Sequence, residues 1–236
     1  MATILLIETA TPICSTAIEH NGTIIAVTES SEPNSHSSKL SILIKELLEK
    51  ADITYNTLDA VCVSSGPGSY TGLRIGVSTA KGLCYALEKP LLAVETLQNM
   101  AHGYLSLNPE YTGYLCPMID ARRMEVYAAI FDSKGNYLRP TSADIITEDI
   151  YNQWLAKNQV RFIGDGADKT RTILENKDNV SFDTEYKISA SGMAHMAEEL
   201  YQQGKFEDIA YFEPFYLKDF VAAKPNVKGL TIKKIM

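Results

Sequence analysis

Residues 4–28 read ILLIETATPICSTAIEHNGTIIAVT and hold three apolar, strand-like runs, at residues 4–7, 14–19 and 23–28. His20-Asn21-Gly22 joins the second run to the third. Asn-Gly between two such runs is the strongest short hairpin signal, because a type I′ turn needs φ > 0 at both central residues. The chain therefore opens on a buried strand followed by an antiparallel hairpin.

Beyond the hairpin comes a polar stretch at residues 30–38. Leu40, Leu43, Ile44, Leu47 and Leu48 then fall at the spacing of one apolar helix face. Residues 58–63 read as a strand and residues 64–72 as a glycine-rich loop. Leu73, Val77, Ala80, Cys84 and Leu87 mark a second helix that Pro90 stops. A strand at 91–94 and a short helix at 96–104 follow. The order β-β-β-α-β-α-β-α is that of a ribonuclease-H-like half domain, a mixed sheet with helices on both faces.

The second half opens the same way, with strands at 114–119 and 124–131 and a turn at 133–136 before a third run. A helix near 148–157, a strand at 160–163, the loop Gly164-Asp165-Gly166 and a final helix capped by Ser189 and running to Tyr201 complete it. In that helix Ala190, Met193, Ala194, Ala197 and Leu200 point inward. Two similar halves suggest an old duplication, with lobes at 1–104 and 105–220 and a basic tail at 221–236.

Composition bounds the function. The chain has 236 residues, 45% hydrophobic and 22% charged, with a net charge of −7. That balance excludes disorder, collagen and a heptad rod, and it argues against a broadly basic nucleic-acid surface. The exception is the last nineteen residues, 218–236, where Lys218, Lys224, Lys228, Lys233 and Lys234 face one acid, Asp219. No apolar run is long enough to span a membrane, and the start lacks a signal peptide's basic leader. Cys14, Cys62, Cys84 and Cys116 form no CxxC pair, so they read as core residues of a cytoplasmic protein. His20, His36, His102 and His195 offer no two-histidine metal face.

The densest chemical signal is the run from Ser64 to Gly76, SSGPGSYTGLRIG, which follows a strand and opens a helix. Such a helix start favours anions. A Walker A loop would need Lys after Gly72, where Leu73 stands, and the glycine spacing fits neither a dinucleotide fingerprint nor a nucleophile elbow around Ser69. A purely structural turn remains open. Gly72, Gly76 and Ala80 repeat every four residues, a small-residue face for close helix packing, either within the domain or against a partner. Glu8-Thr9-Ala10-Thr11-Pro12 lies where two-lobed ATPases seat a phosphate, but Pro12 removes a donor and Ala10 fills the close-approach position. Asp120-Ala121-Arg122-Arg123 fills the matching place in the second half, where two arginines suit a phosphate or carboxylate, or a surface ion pair.

Taken in order, Ile7-Glu8-Thr9-Ala10-Thr11, His36-Ser37-x-x-Leu40, the run Ser65–Gly76, Asp120-Ala121-Arg122-Arg123-x-Glu125-Val126-Tyr127 and Tyr216-Leu217-Lys218 resemble the TsaB family, from the first strand to about residue 220. That family supplies a bacterial subunit of the system making threonylcarbamoyladenosine on tRNA. The resemblance implies a two-lobed fold of the sugar-kinase, actin and chaperone-ATPase class, with no catalytic residue and no metal. In the catalytic TsaD-type relative a His-x-x-x-His pair holds a metal; here Thr96 and Met100 stand in those positions, which also argues against a metalloprotease. Glu8 replaces the family's usual Asp. The resemblance further implies docking on a TsaD-like subunit through Leu40, Leu43, Ile44, Leu47, Gly72, Gly76, Ala80 and Leu83. It implies help for a TsaE-like ATPase, contact with tRNA only through the complex, and a homodimer when alone. No cofactor is expected to bind firmly, ATP or ADP being expected only at the partner interface. The phosphate- or nucleotide-facing candidates are Glu8, Thr9, Thr11, Gly66, Gly68, Ser69, Thr71, Arg74, Asp120, Arg122 and Arg123. The alternative is a stand-alone ATP-dependent small-molecule kinase or ATPase.

Overall fold

The computed structural model describes residues 2–32 and 35–218; the basic tail expected at 221–236 lies outside them. The first sheet contains β1 (Thr3–Glu8), β2 (Cys14–His20), β3 (Thr23–Ser30), β4 (Ala60–Gly66) and β5 (Leu91–Glu95), in the order β3-β2-β1-β4-β5. The β2–β3 turn places Asn21 at φ 52° and Gly22 at φ 75°, as Asn-Gly demands. β1 and β2 are antiparallel, whereas β4 lies parallel to β1 and to β5. β4 is buried along its whole length, so its two faces feed two different cores.

Helices α1 (His36–Ala51) and α2 (Tyr70–Leu87) cover one face, where Leu5, Ile7, Val61 and Val63 meet Leu40, Leu43, Ile44, Leu47, Val77 and Ala80. This corrects the expected docking residues. Leu40, Leu43, Ile44, Leu47, Gly72, Gly76 and Ala80 are all buried in the chain's own first lobe, and Leu83 is half-buried against the same core. The apolar stripe and the small-residue stripe are spent on the sheet, so neither is a surface.

The second sheet holds β6 (Tyr114–Asp120), β7 (Glu125–Phe131), β8 (Tyr137–Ile145), β9 (Val160–Ile163) and β10 (Val180–Asp183), in the order β10-β9-β6-β7-β8. Strand for strand it repeats the first sheet. The helix expected near 148–157 shrinks to α4 (Asn152–Leu155), and the loop at 164–166 is instead the start of α5 (Asp165–Leu174). α5 and β10 were not anticipated.

The two lobes exchange elements, which corrects the expected domain limits. The helix α3 (Thr96–Leu107) follows the first sheet in sequence, yet Leu97, Met100, Ala101 and Tyr104 pack on Leu115, Ile119 and Phe131 of the second. The 3-10 turn Ala190–Met193 and helix α6 (Ala194–Gln202) return to cover the first sheet's other face, at Ile4, Leu6, Cys62 and Leu92. Glu207 then bridges to Leu91 at the sheet edge. All four cysteines are free and buried. No helix among the described residues is long and apolar enough to cross a membrane.

Candidate functional site

A cleft of about 1000 Å³ opens where the carboxyl ends of β1 and β6 face each other. The first lobe contributes Thr11, His36, Gly68, Ser69 and Thr71, and the second contributes Asp120, Arg122, Arg123 and Asp165. Tyr216 and Lys218 close one side.

The first-lobe wall is built by interlocked loops. Ser69 ends the glycine-rich loop, its amide donating to the Ala10 carbonyl at 2.7 Å while its hydroxyl accepts the Gly72 amide at 3.2 Å. That cap fixes the start of α2, whose first turn lines the cleft. His36 begins α1 and places Nε2 2.9 Å from the Thr11 carbonyl, tying the first loop to the helix. Arg74 lies one turn further on, its guanidinium 4.2 Å from the Tyr70 ring centroid.

Four of the sequence candidates do not line the cleft: Glu8, Thr9, Gly66 and Arg74. Glu8 and Thr9 are fully buried. The Glu8 carboxylate accepts from the Ala10 amide and from Asn99 Nδ2, each at 2.7 Å. Burial pushes its acid up to about 7 against those hydrogen bonds. Glu8 is therefore a core acid beneath the loop. Thr9 turns its Oγ1 toward Gly76 and finds no hydrogen-bond partner. Gly66 ends β4 under the Phe215 carbonyl.

The second-lobe wall is the turn between β6 and β7. Asp120 Oδ1 accepts the Arg122 amide at 2.6 Å, and the Lys169 ammonium of α5 pairs with the same carboxylate. Partial burial opposes the charge, yet Lys169 and the Arg122 amide hold Asp120 below its usual range. Asp165 Oδ1 accepts the Asp120 amide at 3.2 Å, while burial raises its own acid. Lys218 pairs with Glu125 and sits 5.8 Å from the Tyr127 ring centroid. Sequence reasoning missed Lys169; the signal lay in Asp165-Gly166-Ala167-Asp168-Lys169, where Asp and Lys stand one helical turn apart.

Positions 96 and 100 hold no ligand cradle. The Thr96 hydroxyl meets Ser64 Oγ at 2.8 Å, and Met100 is core, 1% exposed. Among the described residues no group of three His, Cys, Asp or Glu side chains gathers as a metal site would require.

A family model described as TsaD, tRNA N6-adenosine threonylcarbamoyltransferase, matches residues 28–232. The tRNA threonylcarbamoyladenosine biosynthesis protein TsaB of Escherichia coli is 29% identical over 226 residues, covering 94% of this chain and 96% of that one. Its Bacillus subtilis counterpart is 33% identical over 142 residues, 60% of each chain. A Pseudomonas aeruginosa crystal structure, described as an uncharacterized protein with similarity to peptidase YeaZ, superposes with a TM-score of 0.80 at 25% identity. That likeness covers 92% of this chain and all of the other.

Proposed function

Because the chain belongs to the TsaD family, and within it to the TsaB type, we propose that it is a non-catalytic subunit in making threonylcarbamoyladenosine on tRNA, docking on a catalytic TsaD-type subunit. The observation that carries this reading is the outer surface of α1 and α2. Both helices bury one face on the first sheet, so their opposite faces share one side of the molecule. That side presents Ile42 at 49% and Tyr85 at 82% exposure, with Ser78 and Gly82 between the apolar positions of α2. A Cβ on Gly82 would meet nothing within 4 Å. Small residues flanked by an exposed aromatic allow a partner helix to approach closely and give it an anchor.

The packing of Thr96 and Met100 supports a subunit that leaves the chemistry to its partner. A TsaE-type ATPase and the tRNA join through the complex, with ATP or ADP held where the subunits meet. Without its partner, a second copy covers the same face, since exposed apolar surface seeks cover.

Replacing Tyr85 with Glu, or Gly82 with Arg, tests this. Both positions are exposed, so circular dichroism should show an unchanged fold. Affinity for the purified TsaD-type subunit should fall about 30-fold or more, the loss expected at an interface anchor. Unchanged co-purification would overturn the reading, as would ATP turnover by the isolated chain.

A further inference from the structure

The strand β5 closes one edge of the first sheet, and part of that edge is bare. The Val61 amide donates to the Pro90 carbonyl at 3.1 Å, and Val61 and Val63 stand opposite Leu91 and Ala93 in the parallel ladder. Leu92 and Val94 therefore turn their backbone groups toward β4, whereas Leu91 and Ala93 turn theirs away. The Leu91 carbonyl already takes a backbone donor on that side, the Glu207 amide at 2.8 Å. The outward Ala93 amide and carbonyl have no hydrogen bond among the described residues. The chain next to Glu207 does not continue the pairing, because the Lys205 amide donates to the Leu200 carbonyl at 3.0 Å, at the end of α6.

A groove of about 510 Å³ follows the bare edge, lined by Ala93 and Val94. α6 contributes Met196 and Leu200 to it, and the segment after α6 contributes Phe212 and Phe215. Glu95, Glu199, Glu207 and Glu213 bring four carboxylates, against one ammonium, that of Lys205. None of the four makes an ion pair among the described residues. Such a rim repels phosphates and so turns away a nucleic acid. Nor do three acids gather there as a metal cage would require.

We propose that this groove takes a short, extended, lysine-bearing segment of a partner protein, laid along β5 as an added strand. An open sheet edge binds such a segment through its main chain and selects it through its alternate side chains. Ala93 offers one donor and one acceptor, and Leu91 beside it already accepts a backbone amide. Lysine answers the four carboxylates, while its aliphatic stem lies on apolar surface of the kind Phe212 and Phe215 present. The groove contains no residue of α1 or α2, so the proposal goes beyond the docking reading and stands without it.

The full chain is titrated by fluorescence anisotropy with a labelled Lys-Val-Lys-Val-Lys peptide and with its Glu-Val-Glu-Val-Glu counterpart. The lysine peptide should bind about 10-fold more tightly or better, and more weakly as salt rises. Glu199→Lys with Glu213→Lys should reverse that preference; both positions are exposed, so circular dichroism should show an unchanged fold. Ala93→Pro removes the outward donor at an edge position where proline is tolerated, and should weaken binding about fivefold or more. Should that variant fail to fold, a lysine peptide N-methylated at its central residue loses the matching donor with the protein untouched, and the same loss is expected. Equal affinity for the two peptides overturns the proposal. So does full-strength binding of the N-methylated peptide, which would mean that no strand is added. Spermine that binds as tightly as the lysine peptide would make the groove a small-amine site and overturn it as well. A native chain that binds neither peptide overturns it, whatever else fills the groove.

Discussion

Gly72→Ala should unfold the first lobe under conditions where the native chain is folded, whereas Gly82→Ala in the same helix should strengthen it. A Cβ on Gly72 would stand 2.1 Å from the Thr9 carbonyl oxygen, with Ser69 Cβ and Oγ at 3.3 Å on another side. The obstacle is backbone at the end of β1, the central strand of its sheet, so relief means moving α2 bodily. Overpacking of this kind costs about 3 kcal/mol or more. Gly76 presents a milder case. Its new Cβ would meet Thr9 Oγ1 at 2.2 Å, but that hydroxyl is the end of a side chain and has no hydrogen bond to lose. Gly76→Ala should therefore cost less, on the order of 1–2 kcal/mol. At Gly82 nothing lies within 4 Å, so alanine only gains helix propensity, about 0.5–1 kcal/mol. Urea denaturation of the three variants checks the order. Equal stability of Gly72→Ala and the native chain would mean that α2 does not sit hard on the first loop. The same geometry makes Gly76→Arg useless as a docking probe, because it would destroy the lobe before testing any interface.

This stripe shows what the sequence could and could not disclose. Spacing alone made Gly72, Gly76 and Ala80 a face for close approach, and that was correct; it could not say what approaches. The structure shows Thr9 and the first sheet there, leaving Ser78, Gly82 and Tyr85 on the outer side. The hairpin at Asn21-Gly22 was legible because one dipeptide admits few backbone conformations. The strand β9 was legible because a short run of β-branched and aromatic residues, Val160, Phe162 and Ile163, ends at a glycine. α5 was not, because its buried face is Gly166, Ala167, Thr170 and Leu174, too small and too polar to give an apolar period. The exchange of α3 and α6 between the lobes escaped notice for a different reason. Each helix shows a clear inward face, but periodicity carries no information about which sheet receives it. At the cleft, the loops holding Ser69 and Arg122 were found from residue type, while Glu8 was misplaced. Its position in the chain suggested an open loop acid, whereas the fold draws it beneath that loop.

Glu8 accordingly makes a prediction about pH that a surface acid would not. Its folded-state acid is raised to about 7 from an ordinary 4.5, by burial first, against hydrogen bonds from Ala10 and Asn99. A raised acid binds its proton more tightly in the folded state. Its stabilising contribution is complete below about pH 4.5 and is lost as pH rises through about 7. The shift corresponds to about 3 kcal/mol. Glu19 works in the same direction: burial, with the charge of Glu198 adding to it, raises its acid to about 7 against the Gly22 amide. His102 opposes both, because burial lowers its pKa and stability is lost as pH falls through the histidine range. The informative quantity is thus the difference between variant and native chain at each pH. Glu8→Gln keeps the shape and an oxygen for the Ala10 amide; its new amide stands where Oε2 accepted from Asn99 Nδ2, so the Asn99 side chain must turn over to present its unpartnered Oδ1 to it. At pH 8 this variant should be about 3 kcal/mol more stable than the native chain, and at pH 4 nearly equal to it. Denaturant titrations at the two pH values decide the matter. A constant difference between them would mean that Glu8 keeps an ordinary acid and that water reaches it.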